Sequence, residues 1–176
     1  ELMITHDYYD HRDADQDLNL VFPWQILHGL VEEGILGSLS DQFISFMGHI
    51  DGPLIDALVR ETAISASERI QQMQADIALL VPSWGLCNQT VGLVQRELER
   101  KGISTVGISI SRRVSEFVNP PRTYYLKYPF AHAMGEVFNR NQQKQIFLDC
   151  MKILETETTP GEIIDSKYRW GKNKFE

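Results

Sequence analysis

A chain of 176 residues that is 43% hydrophobic and 10% aromatic carries enough apolar surface for one core, which excludes a disordered segment. Its formal net charge of −7, with no dense Lys/Arg stripe, excludes a nucleic-acid partner. No apolar run approaches the ~20 residues that span a bilayer, no signal-peptide pattern opens the chain, and Cys87 and Cys150 form no disulfide pattern, so no membrane partner and a reducing, cytoplasmic location are expected.

In chain order, Leu2 to Thr5 reads as a short strand, followed by a segment from His6 to Asn19 with five aspartates and two histidines. That segment has no apolar period and reads as an ordered loop. Asp13, Asp15 and Asp17 alternate as in a calcium loop, but Leu18 stands where the turn needs glycine and Trp24 where the twelfth ligand needs Glu. His6, Asp10, His11 and Asp13 either gather around a metal or an anionic substrate or form a solvated acidic loop, and no metal site is assigned. Pro23 opens a helix whose Trp24, Leu27, Leu30 and Val31 share a face, and Gly34 ends it. A strand is expected near Phe43 to Met47, then a long helix from Pro53 to about Gln74.

Ile77 to Val81 is an uninterrupted apolar run that suits a strand covered on both faces, and Pro82 with Gly85 turns the chain. From Asn88 on, Val91, Val94 and Leu98 recur at helical spacing up to Gly102. Cys87 therefore sits at a strand-to-helix junction. Unpaired N–H groups and the positive end of the helix dipole gather there, and both favour thiolate. Thr105 to Ile110 and Thr123 to Tyr128 read as further strands, Pro129 to Gly135 as a loop, and Gln142 to about Glu155 as an amphipathic helix that buries Cys150 as a small hydrophobe.

This alternation predicts a three-layer α/β/α fold with a mostly parallel sheet and right-handed crossovers, with residues 1–157 forming a single domain and residues 158–176 an extension. Ligands of such sheets sit beyond the carboxyl ends of the strands, where Pro82 to Thr90, Ser109 to Arg113 and Tyr128 to Gly135 converge. Trp84, Asn88, Gln89, Thr90, Asp10, Arg112 and His132 are the candidate substrate-binding residues, beside Cys87, His6 and His11 as catalytic ones. Each has a plainer reading. Asn88 suits a helix N-cap, Arg112 either clamps a carboxylate or makes a surface ion pair, and His6 and His11 divide between proton transfer and the surface. His28 and His49 read as structural.

Leu79-Leu-Val-Pro, Cys87-Asn-Gln-Thr-Val-Gly-Leu-Val-Gln-Arg96, Gly102-Ile-Ser-Thr-Val-Gly-Ile-Ser-Ile110, Pro120-Pro-Arg122 and Tyr128-Pro-Phe resemble the selenoprotein B family of glycine, sarcosine, betaine and D-proline reductases. The front, with Ile4-Thr-His-Asp-Tyr-Tyr-Asp-His-Arg-Asp-Ala-Asp, Val21-Phe-Pro and Ser45-Phe-Met-Gly48, is similar as well. The resemblance implies an oxidoreductase in which a selenol or thiol on this turn attacks a small amino-acid-like or polar substrate and a second thiol releases it. The family's turn commonly carries two such residues; here the second matches Cys87 and the first falls on Trp84. The resemblance therefore implies an external thiol or redox partner, and the shortened sheet a homo-oligomer, with the cofactor unassigned. An isomerase or lyase using Cys87 as acid or base, and a non-catalytic ligand-binding or accessory subunit, are the alternatives.

Overall fold

The computed structural model describes residues 3–173 and Phe175. Four strands, β1 (Ile77–Leu80), β2 (Ser104–Ser109), β3 (Arg122–Tyr125) and β4 (Glu162–Asp165), form one sheet in the order β1-β2-β3-β4 with every pairing parallel. Parallel strands need a covered sheet because their crossovers return over its faces. Residues of alternate parity on β1 and β2 accordingly serve two cores. Leu79, Val81, Val106, Ile108 and Ile110 meet helices α2 (Trp24–Glu32) and α7 (Arg140–Thr156) through Ile26, Leu30, Ile146, Phe147 and Cys150. Ala78 and Leu80 meet Val94 and Leu98 of α5 (Cys87–Arg100), with Leu58 and Ala63 behind them. The sheet is thus the middle of three layers, as the alternation of elements predicts, and each fully buried aliphatic side chain contributes roughly 1.5–3 kcal/mol to holding it.

Several local expectations change. Residues 3–5 take no strand conformation, and the acidic segment contains a short helix α1 (Arg12–Gln16) and a 3-10 turn at Leu18–Leu20. Phe43 to Met47 is not a strand: β-prone residues are present, but no neighbouring strand pairs with them. The long helix is present as α3 (Leu54–Ala57) and α4 (Ala63–Gln72), joined through a π turn at Leu58–Thr62. A helix unforeseen in the sequence, α6 (Arg112–Val118), follows β2 and ends on Asn119 in the left-handed region, φ 53°. The stretch after Thr158 supplies β4 and buries Tyr168 in the main core. Because the strands run in sequential order while α5 and α7 cover opposite faces, the β1–β2 and β3–β4 crossovers have opposite hands. Uniform right-handedness does not hold.

One buried carboxylate fixes the front of the chain to this frame. Asp17 accepts hydrogen bonds from the Asn19 N–H at 3.2 Å, Asn19 Nδ2 at 2.9 Å, the Arg140 guanidinium at 2.9 Å, the Phe138 N–H at 2.8 Å and Gln143 Nε2 at 2.7 Å. Burial alone would raise its pKa, but these donors outweigh burial and hold it below the ordinary carboxylate value. A carboxylate depressed on folding stabilises the fold above its unfolded-state pKa, and that stabilisation is lost as pH falls through the folded value. Asp17→Ala, which strands donors of four residues around a buried void, should cost on the order of 3 kcal/mol in urea unfolding at neutral pH. The difference between variant and wild type should shrink on acidification; equal stability at neutral pH would contradict this role.

Candidate functional site

The turn between β1 and α5 is closed by the first residues of the helix themselves. Asn88 Nδ2 donates to the carbonyls of Trp84 (2.8 Å) and Gly85 (3.0 Å), and its Oδ1 accepts the Ile110 N–H at 2.9 Å. Its side chain therefore ties the turn to the end of β2. Asn88 is not the helix cap, a position held by Leu86; its amide is engaged by backbone groups of the turn and of the end of β2. Thr90 Oγ1 donates to the Gly48 carbonyl at 3.0 Å and Gln89 Nε2 to the Ile50 carbonyl at 2.9 Å. These two residues, candidates for substrate contact, fasten the irregular segment around Gly48 across the start of the helix.

Cys87 lies beneath that segment. It is only 6% exposed, with its Sγ 3.7 Å from the Ser83 hydroxyl. A methyl group on Gly48 would overlap the sulfur and come within 2.9 Å of Cys87 Cβ, so glycine is required there for close approach. The junction placement expected from the sequence is present, and the sulfur is roofed.

Beside the roof is a stack of rings. Trp84 lies nearly parallel to His49 (5.2 Å between centroids, 7°) and to Tyr8 (5.6 Å, 28°), with His6 at 5.9 Å and Phe130 at 6.3 Å. Tyr8 stacks on His49 at 4.2 Å, and His6 packs against Tyr9 at 4.7 Å. His6 Nδ1 accepts the Tyr8 N–H at 3.2 Å, while its Nε2 is buried without a partner, as is His49 Nδ1. Burial lowers the pKa of His6, and the neighbouring His49 and His11 lower it further against the pull of Asp7. Burial also raises that of Tyr9, whose hydroxyl stands near Ser83 and Cys87.

The remaining candidates divide. His11 Nδ1 pairs with Asp15 at 2.7 Å, and the ring lies 6.1 Å from that of Tyr9, so it borders the same cluster from a more open position. Asp10 is taken up by Arg12 in an exposed two-point pair that holds its carboxyl well below the usual range. Arg112 is engaged in ion pairs: it bridges Glu116 at 2.9 Å and Asp165 at 2.5 Å, joining α6 to β4. His132 presents both ring nitrogens to acceptors, the Phe130 carbonyl at 2.8 Å and Asp13 at 3.1 Å, and packs on Trp170 at 4.8 Å. Cys150 is fully buried in the main core, which pushes its thiol far up, out of reach of thiolate chemistry. Among the described residues no three His, Cys, Asp or Glu side chains form a metal-binding group, and no helix is long and apolar enough to cross a membrane.

Sequence reasoning missed His49, Tyr8, Tyr9, Ser83 and Gly48. The Gly48-His49 pair carried a signal, since a glycine in an apolar stretch marks a close backbone approach.

Fold and site define a parallel α/β domain with a roofed cysteine at the carboxyl end of its sheet. Over 170 residues the chain is 29% identical to the D-proline reductase subunit gamma of Acetoanaerobium sticklandii, covering 97% of this chain and 69% of that protein. It is 26% identical over 160 residues to the glycine reductase complex component B subunit gamma of Symbiobacterium thermophilum, and 24% identical over 159 residues to the sarcosine reductase complex component B subunit beta of Peptoclostridium acidaminophilum. Those two matches cover 89% and 86% of this chain but only 36% and 35% of the relatives, so the chain spans about a third of their length. The chain is a homologue of these D-proline, glycine and sarcosine reductase subunits, the family its motifs resemble. No family model and no solved structure matches it.

Because the roof leaves no room for a side chain at residue 48, Gly48→Ala should move it off Cys87. Alkylation of Cys87 should accelerate severalfold while the fold loses about 1–3 kcal/mol, the usual cost of overpacking. Unchanged labelling and stability would show that the segment does not press on the sulfur.

Proposed function

We propose that the chain is a thiol-dependent component of a reductase system, acting on a small amino-acid-like or otherwise polar molecule through Cys87. The observation that carries this reading is the sulfur's position at the opening of α5, beside the Ser83 hydroxyl and next to a cluster holding two imidazoles with unpartnered nitrogens. The thiolate attacks the substrate carbon and displaces a leaving group, which takes up a proton through an imidazole, that of His6 or His11. An external thiol then attacks the Cys87 sulfur, the reduced product departs with a proton, and a mixed disulfide remains. The two electrons come from the thiol pair, so a redox partner completes the cycle, because Trp84 occupies the position of a second sulfur or selenium on this turn. The relatives are described as subunits of reductase complexes, which supports a partnered role for this chain. Among the described residues β1 pairs only with β2, and its Ile77 is exposed, which favours assembly along that edge with another copy or another subunit.

A second reading has two observations in its favour. The roof over Cys87 and the stacking of Trp84 on His49 suit a non-catalytic accessory subunit that binds ligand without transforming it.

The test is turnover of small amino acids by the purified chain with a dithiol donor, with and without extracts that supply partner subunits, comparing wild type with Cys87→Ser. The proposal expects turnover to fall by at least about a thousandfold in the variant, the scale on which loss of a nucleophile acts. Equal turnover would overturn it, and ligand binding without turnover in both proteins would establish the accessory reading.

A further inference from the structure

His49 belongs to no motif and was read as structural, yet its surroundings are those of a binding group. Its ring packs against Tyr8, 4.2 Å away, and lies within 7° of parallel to Trp84, and those two rings also touch each other at 5.6 Å, so the three form one contiguous group. Its backbone is held as firmly, since the carbonyls of the residues on either side, Gly48 and Ile50, accept from Thr90 and Gln89. A ring fixed in this way points its Nδ1 into the protein, where no donor or acceptor meets it.

The second imidazole of the cluster repeats the pattern. His6 is 7% exposed, and its Nδ1 is already occupied as the acceptor of the Tyr8 N–H. A neutral imidazole that accepts at one nitrogen carries its proton on the other, so His6 presents an N–H at Nε2, and that atom too has no partner. A buried polar atom without a partner costs about 1–3 kcal/mol, so two such atoms in one aromatic cluster call for an explanation. A bound acceptor supplies one.

We propose that His49 and His6 together form the seat for an oxygen of the ligand, a carboxylate or polarised carbonyl, on the Trp84 side of Cys87. This rests on the reading of Cys87 as the reacting thiol and adds to it the group that orients the molecule being attacked. Arg112 and Arg140 offer no competing seat: Arg112 is bound to Glu116 and Asp165, and Arg140 to Asp17. With the Tyr8, His49 and Trp84 rings beside it and the two imidazole nitrogens at one end, the ligand is a small molecule with an oxygen terminus a few bonds from the carbon that meets the sulfur.

Two alkylating agents of nearly the same size separate the parts of this idea. Iodoacetate carries a carboxylate and iodoacetamide does not, and either one loses iodide as the Cys87 sulfur bonds to its methylene. The ratio of their rates at Cys87, taken at one pH and site-resolved by mass spectrometry, cancels the exposure and ionisation of the thiol. In wild type the ratio should exceed that of a small free thiol. His49→Phe, which keeps a ring in the stack and removes both nitrogens, should lower it by about tenfold, as should His6→Phe, since a hydrogen bond to a charged group contributes on that scale. His28→Phe, whose imidazole packs on Trp24 away from this cluster, should leave it unchanged. A ratio that neither His49→Phe nor His6→Phe alters, with both reagents reacting, would overturn the seat and leave the thiol reading intact. If neither reagent labels Cys87, even in Gly48→Ala, the thiol reading fails and the seat with it.

Discussion

Two side-chain hydrogen bonds from the first turn of α5, Gln89 to the Ile50 carbonyl and Thr90 to the Gly48 carbonyl, hold together parts of the chain that are some forty residues apart. They carry weight because the segment they grip has no ladder or helix of its own. Its backbone polar groups must be met by something, and the start of α5 meets two of them. Because Gly48 is drawn down onto Cys87, the same contacts decide how the sulfur is covered and where the imidazole of His49 stands. The Asp17 network performs the matching task for the front of the chain, setting the loop that bears His6 and His11 against α7. Two polar clamps thus bring irregular chain to a regular sheet.

Much of the sheet could be read from the sequence because its signals are local. Ile77 to Val81 is a continuous apolar run, and Thr105 to Ile110 alternates Val106, Ile108 and Ile110 with small residues, both patterns that suit a covered strand. The helix from Cys87 to Arg100 followed from the spacing of Val91, Val94 and Leu98 and the stop at Gly102. α6 escaped because it is seven residues long and ends on Asn119, whose left-handed geometry leaves no mark that a proline pair does not also leave. Phe43 to Met47 misled for the opposite reason: its β-prone composition is satisfied by packing among Phe22, Trp24 and Phe43 without a strand partner.

The site was legible in its anchor and opaque in its lining. Cys87 could be found because a strand-to-helix junction is a local event. Asn88, Gln89 and Thr90 looked like ligand contacts because polar residues after such a turn often are, and only tertiary contacts show that their hydrogen bonds go to backbone groups. Arg112 was drawn away by Asp165, fifty-three residues further on, a pairing no spacing rule reveals. His49 was passed over because its meaning lies in which rings surround it.

Roofed and unroofed states of Cys87 connect this packing to chemistry. A sulfur beneath irregular chain is reached by local opening, whereas one in the core is reached only when the whole fold opens. The chain carries its own control, since Cys150 lies at 0% exposure among the core residues of α7. The most direct measurement is native-state thiol labelling followed by mass spectrometry over a urea series well below the unfolding transition. Labelling of Cys87 should run ahead of Cys150 by at least about a hundredfold and vary little with urea, while Cys150 follows global unfolding. Labelling of both cysteines at one rate with one urea dependence would contradict a separately opening roof, and with it the access that any chemistry at Cys87 requires.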